Sequence, residues 1–354
     1  MIINQWIPAA HYGDAVGNSA RVVRNLLRSR GYVSNIFALT IDEELQGDVR
    51  FFSEPEATSG DSTILHFAVP SLMSEALTHL SGGRIIQYHN ITPAHFFASY
   101  APDIFRIAAV GRHELASLAG RVDLALGDSE FNRAELEALG FKKTGVFPIA
   151  VDTGRIQYGE RNPALEDCLT DGLSNILFVG RIAPNKKIED NLRLAEYFRR
   201  YVDRDYRFIF VGRTDAVPRY YATLRSLMAK YGMRDDRFVF TGAVPNEDLA
   251  TYYKTAKAYV SLSEHEGFCV PLVEAMAADL PILAYGTTAI PETLDGAGIC
   301  FTPKDLEYAA EVLGMLVYDD TLRNKIISGQ RRRLLEFSPA SVDAALQNLL
   351  ASLT

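Results

Sequence analysis

The chain has 354 residues, 48% of them hydrophobic, with 25 glycines and 15 prolines, which is room for two globular domains. A formal net charge of −8, shared between the two halves, disfavours a nucleic-acid-coating protein and gives neither half an electrostatic arm. Three widely spaced cysteines, Cys168, Cys269 and Cys300, argue against a disulfide framework or zinc site and fit a reducing compartment.

The opening segment MIINQWIPAAHYG lacks the basic flank and long apolar core of a signal peptide. No run approaches the ~18 apolar residues that a spanning helix needs. A cytoplasmic protein is expected, with any membrane contact peripheral. IINQWIP reads as the first strand, followed by a loop HYGDAVGN and a helix ARVVRNLLRSRG stopped by Gly31. YVSNIFAL, TILHFAV, RIIQYHN and DLALGDS read as further strands, with a helix SLMSEALTHL before the third of these. Ser129 or Asp128 caps a helix FNRAELEALG, and GVFPIAVD runs extended. Strands alternating with helices predict an α/β fold with a parallel, doubly wound sheet.

The second half repeats this grammar. NILFVGR, RFIFVGR and RFVFTGA are apolar strands ending in glycine, and AYVSLS and PILAY continue the sheet. A boundary near Ile149 to Arg155 divides a first domain, 1–150, from a second, 151–338. SPASVDAALQNLLASLT predicts a capped amphipathic helix over about 339–354.

Polar residues collect at predicted strand ends, where open α/β sheets bind ligands. Glu266 lies in the loop after AYVSLS, and Glu274 lies in the following helix, whose first turn accommodates Pro271. The N–H groups around Gly267, Phe268 and Cys269 form a helix N-terminus suited to an anion or to sugar hydroxyls. Arg181 and Lys186 follow NILFVG, where a guanidinium and an ammonium suit phosphate oxygens. The loop from Gly13 to Gly17 and Asn18 is placed as a phosphate-cradling loop would be, with Asp14 inside it. Gly212 would let backbone approach a ligand, although a glycine at a strand end also serves a simple turn. The only DxD, Asp203-Arg-Asp205, precedes RFIFVG at the strand's amino end and reads as a solvated turn. Asp319-Asp320 caps a helix, and His95 and His113 read as surface or packing residues.

Two glutamates seven residues apart, in SEHEGFCVPLVEAM, together with GRIAPNK after an apolar strand, resemble the signature of retaining glycosyltransferases of family 4. The resemblance extends over nearly the whole chain and is stronger in the second domain. It implies the GT-B architecture, two Rossmann-like domains facing each other across a cleft, with the last helix crossing back to the first domain. It also implies transfer of a hexose from a nucleoside diphosphate sugar (GDP- or UDP-linked) to a saccharide or lipid-linked acceptor, with retention and without a metal or cofactor. The wording of the motifs looks most like bacterial surface-polysaccharide transferases, mannosyl-transferring ones in particular. By this resemblance Glu266 holds the donor sugar, Glu274 binds ribose, Arg181 and Lys186 neutralise the diphosphate, and the base pairs with backbone near Val244. His89, after RIIQY, stands in the place of a histidine used beside the reacting sugar. Lys187 replaces a common family glycine, and Asp14 stands where paired glycines are frequent. Peripheral membrane contact is expected from Arg21, Arg24 and Arg28 with the aromatics of HFFASYAPDIF. Alternatives are another GT-B enzyme, a sugar-nucleotide epimerase or glycoside phosphorylase, or a non-catalytic nucleotide-sugar-binding protein.

Overall fold

Strands that are apolar on both faces must be covered by helices on both faces, and such strands pair in parallel. The computed structural model describes residues 1–351, so positions 352–354, the end of the expected last helix, lie outside the described residues. The chain divides into one unit formed by Met1–His95, Asp103–Val151 and the segment from Phe337, and another formed by Phe96–Pro102 and Asp152–Glu336.

The first unit holds β1 (Ile3–Ala10), β2 (Ile36–Ile41), β3 (Arg50–Phe51), β4 (Ser62–Phe67), β5 (Gly83–Tyr88), β6 (Leu124–Gly127) and β7 (Thr144–Val146). They form one parallel sheet in the order β3-β2-β1-β4-β5-β6-β7. The order reverses between β1 and β4, the topological switch point of this sheet. The helix Ala15–Ser29 begins inside the expected loop because the Asp14 carboxylate accepts from Gly17 N–H and caps it. Its Val23 and Leu27 pack with Ile3, Ile64 and Ile85, and Val342, Leu346 and Leu349 of the helix Pro339–Ala351 close the same core. The spacing 342, 346, 349 is one face of a helix, so three large side chains leave water together, each worth roughly 1.5–3 kcal/mol. The helix Pro102–Ser117 is absent from the elements expected above, and it leaves Phe105, Ile107 and Val110 exposed.

The three arginines of the first helix have different surroundings. Arg24 is buried, with Nη2 2.8 Å from Asp48 Oδ1. Arg28 donates to the Ser34 carbonyl at 2.8 Å, and Arg21 donates to Asn18. Arg24 is thus paired inside the fold, whereas Arg28, bonded to a neutral carbonyl, stays exposed.

The second unit holds β8 (Ser174–Val179), β9 (Tyr206–Val211), β10 (Phe238–Gly242), β11 (Ala258–Ser261), β12 (Ile282–Tyr285) and β13 (Ile299–Phe301). The sheet is again parallel, in the order β10-β9-β8-β11-β12-β13, and reverses between β8 and β11. Phe208 pairs with Phe238 and Phe210 with Phe240, and their rings stack at 6.1 and 4.7 Å. Asp203 and Asp205 lie at the amino end of β9, where Asp203 accepts from Asp205 N–H and from Tyr318.

Candidate active site

In the second unit, parallel strands bring the loops after β8, β9, β10 and β11 to one edge of the sheet. Those after β8 and β11 flank the switch point, so side chains from both can meet in one crevice. The loop after β8 carries Arg181 and the short 3-10 turn Pro184–Lys186. Arg181 is exposed and forms no ion pair among the described residues. Asn185 is buried and stitches the two loops together. Its side-chain amide donates to the His265 carbonyl at 3.1 Å, and its own carbonyl accepts from Glu264 N–H at 2.8 Å.

That stitching sets Lys186 opposite Glu266. The ammonium Nζ lies 2.5 and 2.6 Å from the two carboxylate oxygens of Glu266, which is 8% exposed. The Glu266 backbone is anchored too, its N–H donating to Thr288 Oγ1 at 3.0 Å. Lys187 turns elsewhere. Its φ of +51° is the left-handed conformation that glycine adopts without penalty, and its ammonium lies 3.3 Å from Glu264 and 3.6 Å from Glu189. Burial pulls its protonation down, but Glu189 and Glu264 more than offset this and raise it. Lys304, after β13, holds Glu264 from the other side at 3.0 Å and Asp190 at 2.8 Å. Lys186 and Lys187 therefore have separate carboxylate partners.

After Glu266 the chain passes Gly267 and Phe268 to Cys269, whose φ is +71°, and enters the helix Val270–Ala277. Pro271 sits in its first turn, as expected. The Cys269 thiol is buried, and burial followed by the nearby Glu266 charge pushes its ionisation well above the usual thiol range. Glu274 faces inward from this helix and is 2% exposed. Its oxygens are taken by Tyr253 Oη at 2.8 Å and by the Arg155 guanidinium. Burial and then the Glu274 charge drive the Tyr253 hydroxyl well above its ordinary range, so it remains a donor. Arg155 and Tyr253 carry no motif and were missed by sequence reading, as was Asn185 within the lysine loop.

Gly212 has a reason internal to the chain. At its φ of +145°, a Cβ would lie 2.1 Å from the Gly180 carbonyl oxygen, and its N–H already donates to Gly242 at 2.9 Å. Strand β10 ends in Gly242, and Val244 lies half-buried in the turn before the helix Asn246–Thr255.

In the first unit, Gly13 adopts φ +77° and Gly17 lies in the first helical turn. The carboxylate of Asp14 occupies the Gly17 N–H, as an external anion would at an uncapped helix. The side chain of His89, just past β5, is buried with both ring nitrogens engaged. Nδ1 lies 2.8 Å from Asp128 Oδ2, and Nε2 lies 2.9 Å from His66 Nδ1. No nitrogen of His89 is presented to solvent. Ser129, not Asp128, caps the helix Glu130–Ala138.

Residues 170–333 match the family model described as glycosyl transferases group 1. The chain is 26% identical over 147 residues to an O-antigen chain mannosyltransferase B of Escherichia coli, covering 42% of this chain and 38% of that protein. It is 30% identical over 230 residues to a GDP-mannose-dependent alpha-mannosyltransferase of Mycobacterium tuberculosis, covering 63% and 55%. The chain thus spans about half or less of the length of these curated relatives. A crystal structure of Anabaena HepE in complex with UDP-glucose superimposes with a TM-score of 0.78 at 15% identity, covering 99% of this chain and 100% of that one. The fold is the GT-B type, built from two Rossmann-like domains, and the part of the second that matches the group 1 model resembles bacterial polysaccharide mannosyltransferases in sequence. No helix among the described residues is long and apolar enough to cross a membrane.

Proposed function

We propose that the protein is a retaining glycosyltransferase that moves a hexose from a nucleoside diphosphate sugar to a hydroxyl of a saccharide or lipid-linked saccharide. The observation that carries this reading is the Lys186–Glu266 pair beside the unpaired Arg181, at the switch point of the sheet within the matched domain. One carboxylate and two cations leave a net positive charge there, which suits a diphosphate. The bond from the anomeric carbon to the leaving phosphate breaks, and a bond to the acceptor oxygen forms on the same face. The acceptor proton passes to the departing phosphate oxygen, so no covalent enzyme intermediate and no resident cofactor are needed. Glu266 orients the sugar, Glu274 takes the ribose hydroxyls, and the turn at Val244 meets the base.

Mannose carried by GDP is the favoured donor, on the strength of the sequence relatives. A lipid-linked acceptor would bring a cytoplasmic enzyme to a membrane surface, where Phe105, Ile107 and Val110 offer exposed apolar contact. A thermal-shift panel of GDP, UDP and ADP and their sugars tests the donor, because a bound ligand raises apparent stability. A rise with GDP and GDP-mannose, with slow release of mannose in the absence of acceptor, supports the proposal. A rise without hydrolysis or transfer to any saccharide favours a binding protein, and no rise with any nucleotide overturns both readings.

A further inference from the structure

Each carboxylate oxygen of Glu274 meets a different donor from the same unit. Oε1 accepts from Arg155 Nη2, and Oε2 accepts from Tyr253 Oη at 2.8 Å. Three separate elements supply this cluster. Arg155 sits in the four-residue helix Gly154–Gln157, Tyr253 in the helix Asn246–Thr255 and Glu274 in the helix Val270–Ala277. Tyr253 is 1% exposed and its ring stacks on Tyr259 with centroids 6.4 Å apart, so packing restrains the hydroxyl. The Pro271 carbonyl, at 3.5 Å, is the more distant acceptor for the same hydrogen. Glu274 is the one acceptor of the Arg155 side chain among the described residues, and Arg155 Nε is buried without a partner. The guanidinium thus serves no wider network.

We propose that Arg155 and Tyr253 are positioning residues that hold Glu274 by one oxygen each and leave an acceptor site on each oxygen for the two neighbouring hydroxyls of a ribose. This rests on the transferase reading above, in which Glu274 takes the ribose of the nucleotide. A carboxylate offers roughly four lone-pair sites, two on each oxygen. Arg155 can only donate and takes one on Oε1, and the single hydrogen of the Tyr253 hydroxyl takes one on Oε2. One site therefore remains on each oxygen. A vicinal diol can donate to two such sites at once, whereas an ionised phosphate presents only acceptors and suits neither.

The two donors matter because the last torsion of a glutamate is broad and sets no carboxylate plane by itself. With both oxygens held, the fold orders the group before a nucleotide arrives, which spares the ligand that ordering entropy. Without Arg155 the carboxylate can turn about that torsion, and the free sites lose their match to the diol. The alternative, that Arg155 only neutralises a buried charge, predicts that its loss weakens every nucleotide alike. The two readings part at the ribose.

Isothermal titration calorimetry of the full chain with GDP, UDP and ADP, each beside its 2′,3′-dideoxy analogue, separates them. The ratio of the two dissociation constants reports the hydroxyl contacts. For whichever nucleotide binds, wild type should prefer the ribose form roughly ten- to a hundredfold, the worth of hydrogen bonds to a charged acceptor. Arg155→Met should bring this ratio to within about threefold of unity and leave affinity for the dideoxy form little changed. Arg155→Lys keeps a cationic donor and should restore most of the preference. Tyr253→Phe keeps the packed ring and should lower the ratio roughly three- to tenfold. A ratio unchanged in Arg155→Met, with both forms weakened alike, makes the contact purely structural and overturns the proposal. So does a ratio that rises, because the guanidinium would then compete with ribose. Should Arg155→Met fail to fold, Tyr253→Phe decides, and an undiminished ratio there refutes the proposal. A wild type that binds the ribose and dideoxy forms equally removes the ribose assignment itself, and this proposal with it. A wild-type preference that survives in both variants removes the proposal alone.

Discussion

Lys186 grips both carboxylate oxygens of Glu266, at 2.5 and 2.6 Å, although 80 residues separate them in the chain. The contact exists because the loops bearing them leave β8 and β11, the neighbours between which the sheet reverses order. Asn185, buried between the loops, removes most of the freedom with which they could drift apart.

The two adjacent lysines should therefore behave differently. Lys186→Ala leaves the nearly buried Glu266 without its cation and removes a charge from the proposed diphosphate site. A loss of roughly a hundred- to a thousandfold in turnover is expected. Lys187→Gly relieves a left-handed backbone by about 1–2 kcal/mol but gives up its contacts to Glu264 and Glu189. Its activity should stay within about threefold of wild type, since weak surface ion pairs contribute little. Steady-state kinetics of both variants on one donor decide the matter, and the reverse ranking would move the phosphate contact to Lys187.

Glu266 and Glu274 should separate kinetically. Glu274→Gln weakens the links to Arg155 and Tyr253; if the group binds ribose equally in ground and transition states, as proposed, the donor KM should rise with kcat little changed. Glu266→Gln disturbs the group assigned to the reacting sugar and should chiefly lower kcat. Matching profiles for the two variants would remove the division of roles.

Much of this was legible before any coordinates. Apolar runs ending in glycine marked the second sheet, and the spacing of Glu266 and Glu274 across a helix start placed both correctly in the chain. What sequence could not supply was pairing across distance. Arg155 reaches Glu274 from a four-residue helix at the start of the second unit, and no motif advertises a partner 119 residues away. Asp14 was read as part of a loop because its capping role depends on a bond to Gly17 that only geometry reveals. The glycine that the motif resemblance leads one to expect in place of Lys187 acquires its reason in the same way, from φ +51°.

Gly212 should tolerate no side chain. Gly212→Ala forces a Cβ into the Gly180 carbonyl and holds alanine at φ +145°, so destabilisation of at least about 2 kcal/mol is expected. Urea unfolding measures it. A variant as stable as wild type would mean that the ends of β8 and β9 are not packed as described.

Cys269 supplies a pH dependence with a definite sign. Burial and the nearby Glu266 keep its thiol protonated in the fold, whereas an unfolded thiol ionises near pH ~8.5. The native state thus holds a proton that the unfolded chain releases. The associated stability is present below ~8.5 and falls above it, by at most about 1.4 kcal/mol per pH unit for this group. Tyr253 and Tyr259, also raised by burial, add the same trend from pH ~10. Unfolding free energy at pH 7.5 and 9.5 should drop more steeply in wild type than in Cys269→Ala. In the native protein, maleimide should modify the exposed Cys168 and Cys300 well before Cys269. Equal slopes with and without the thiol would contradict this account.

Catalysis should proceed without a divalent metal. A diphosphate leaving the anomeric carbon gathers charge that a partly dry site has to offset, and transferases built on a DxD motif use a metal for this. The only DxD of this chain sits at the amino end of β9, where Asp203 is bonded to Asp205 N–H and Tyr318, on the edge opposite the Lys186–Glu266 pair. Arg181, exposed and unpaired among the described residues, and Lys186 supply positive charge at the carboxyl edge instead. Removing one such preorganised donor typically slows a reaction roughly a hundred- to a thousandfold. Arg181→Ala should therefore lose that much activity while keeping its thermal midpoint, because the side chain makes no ion pair whose loss would unfold the protein. Wild-type enzyme treated with EDTA should retain nearly full activity, and added Mg²⁺ or Mn²⁺ should change it little. Activity abolished by EDTA and restored by either ion would require a metal to offset the diphosphate charge, and Arg181 and Lys186 would then be supporting groups.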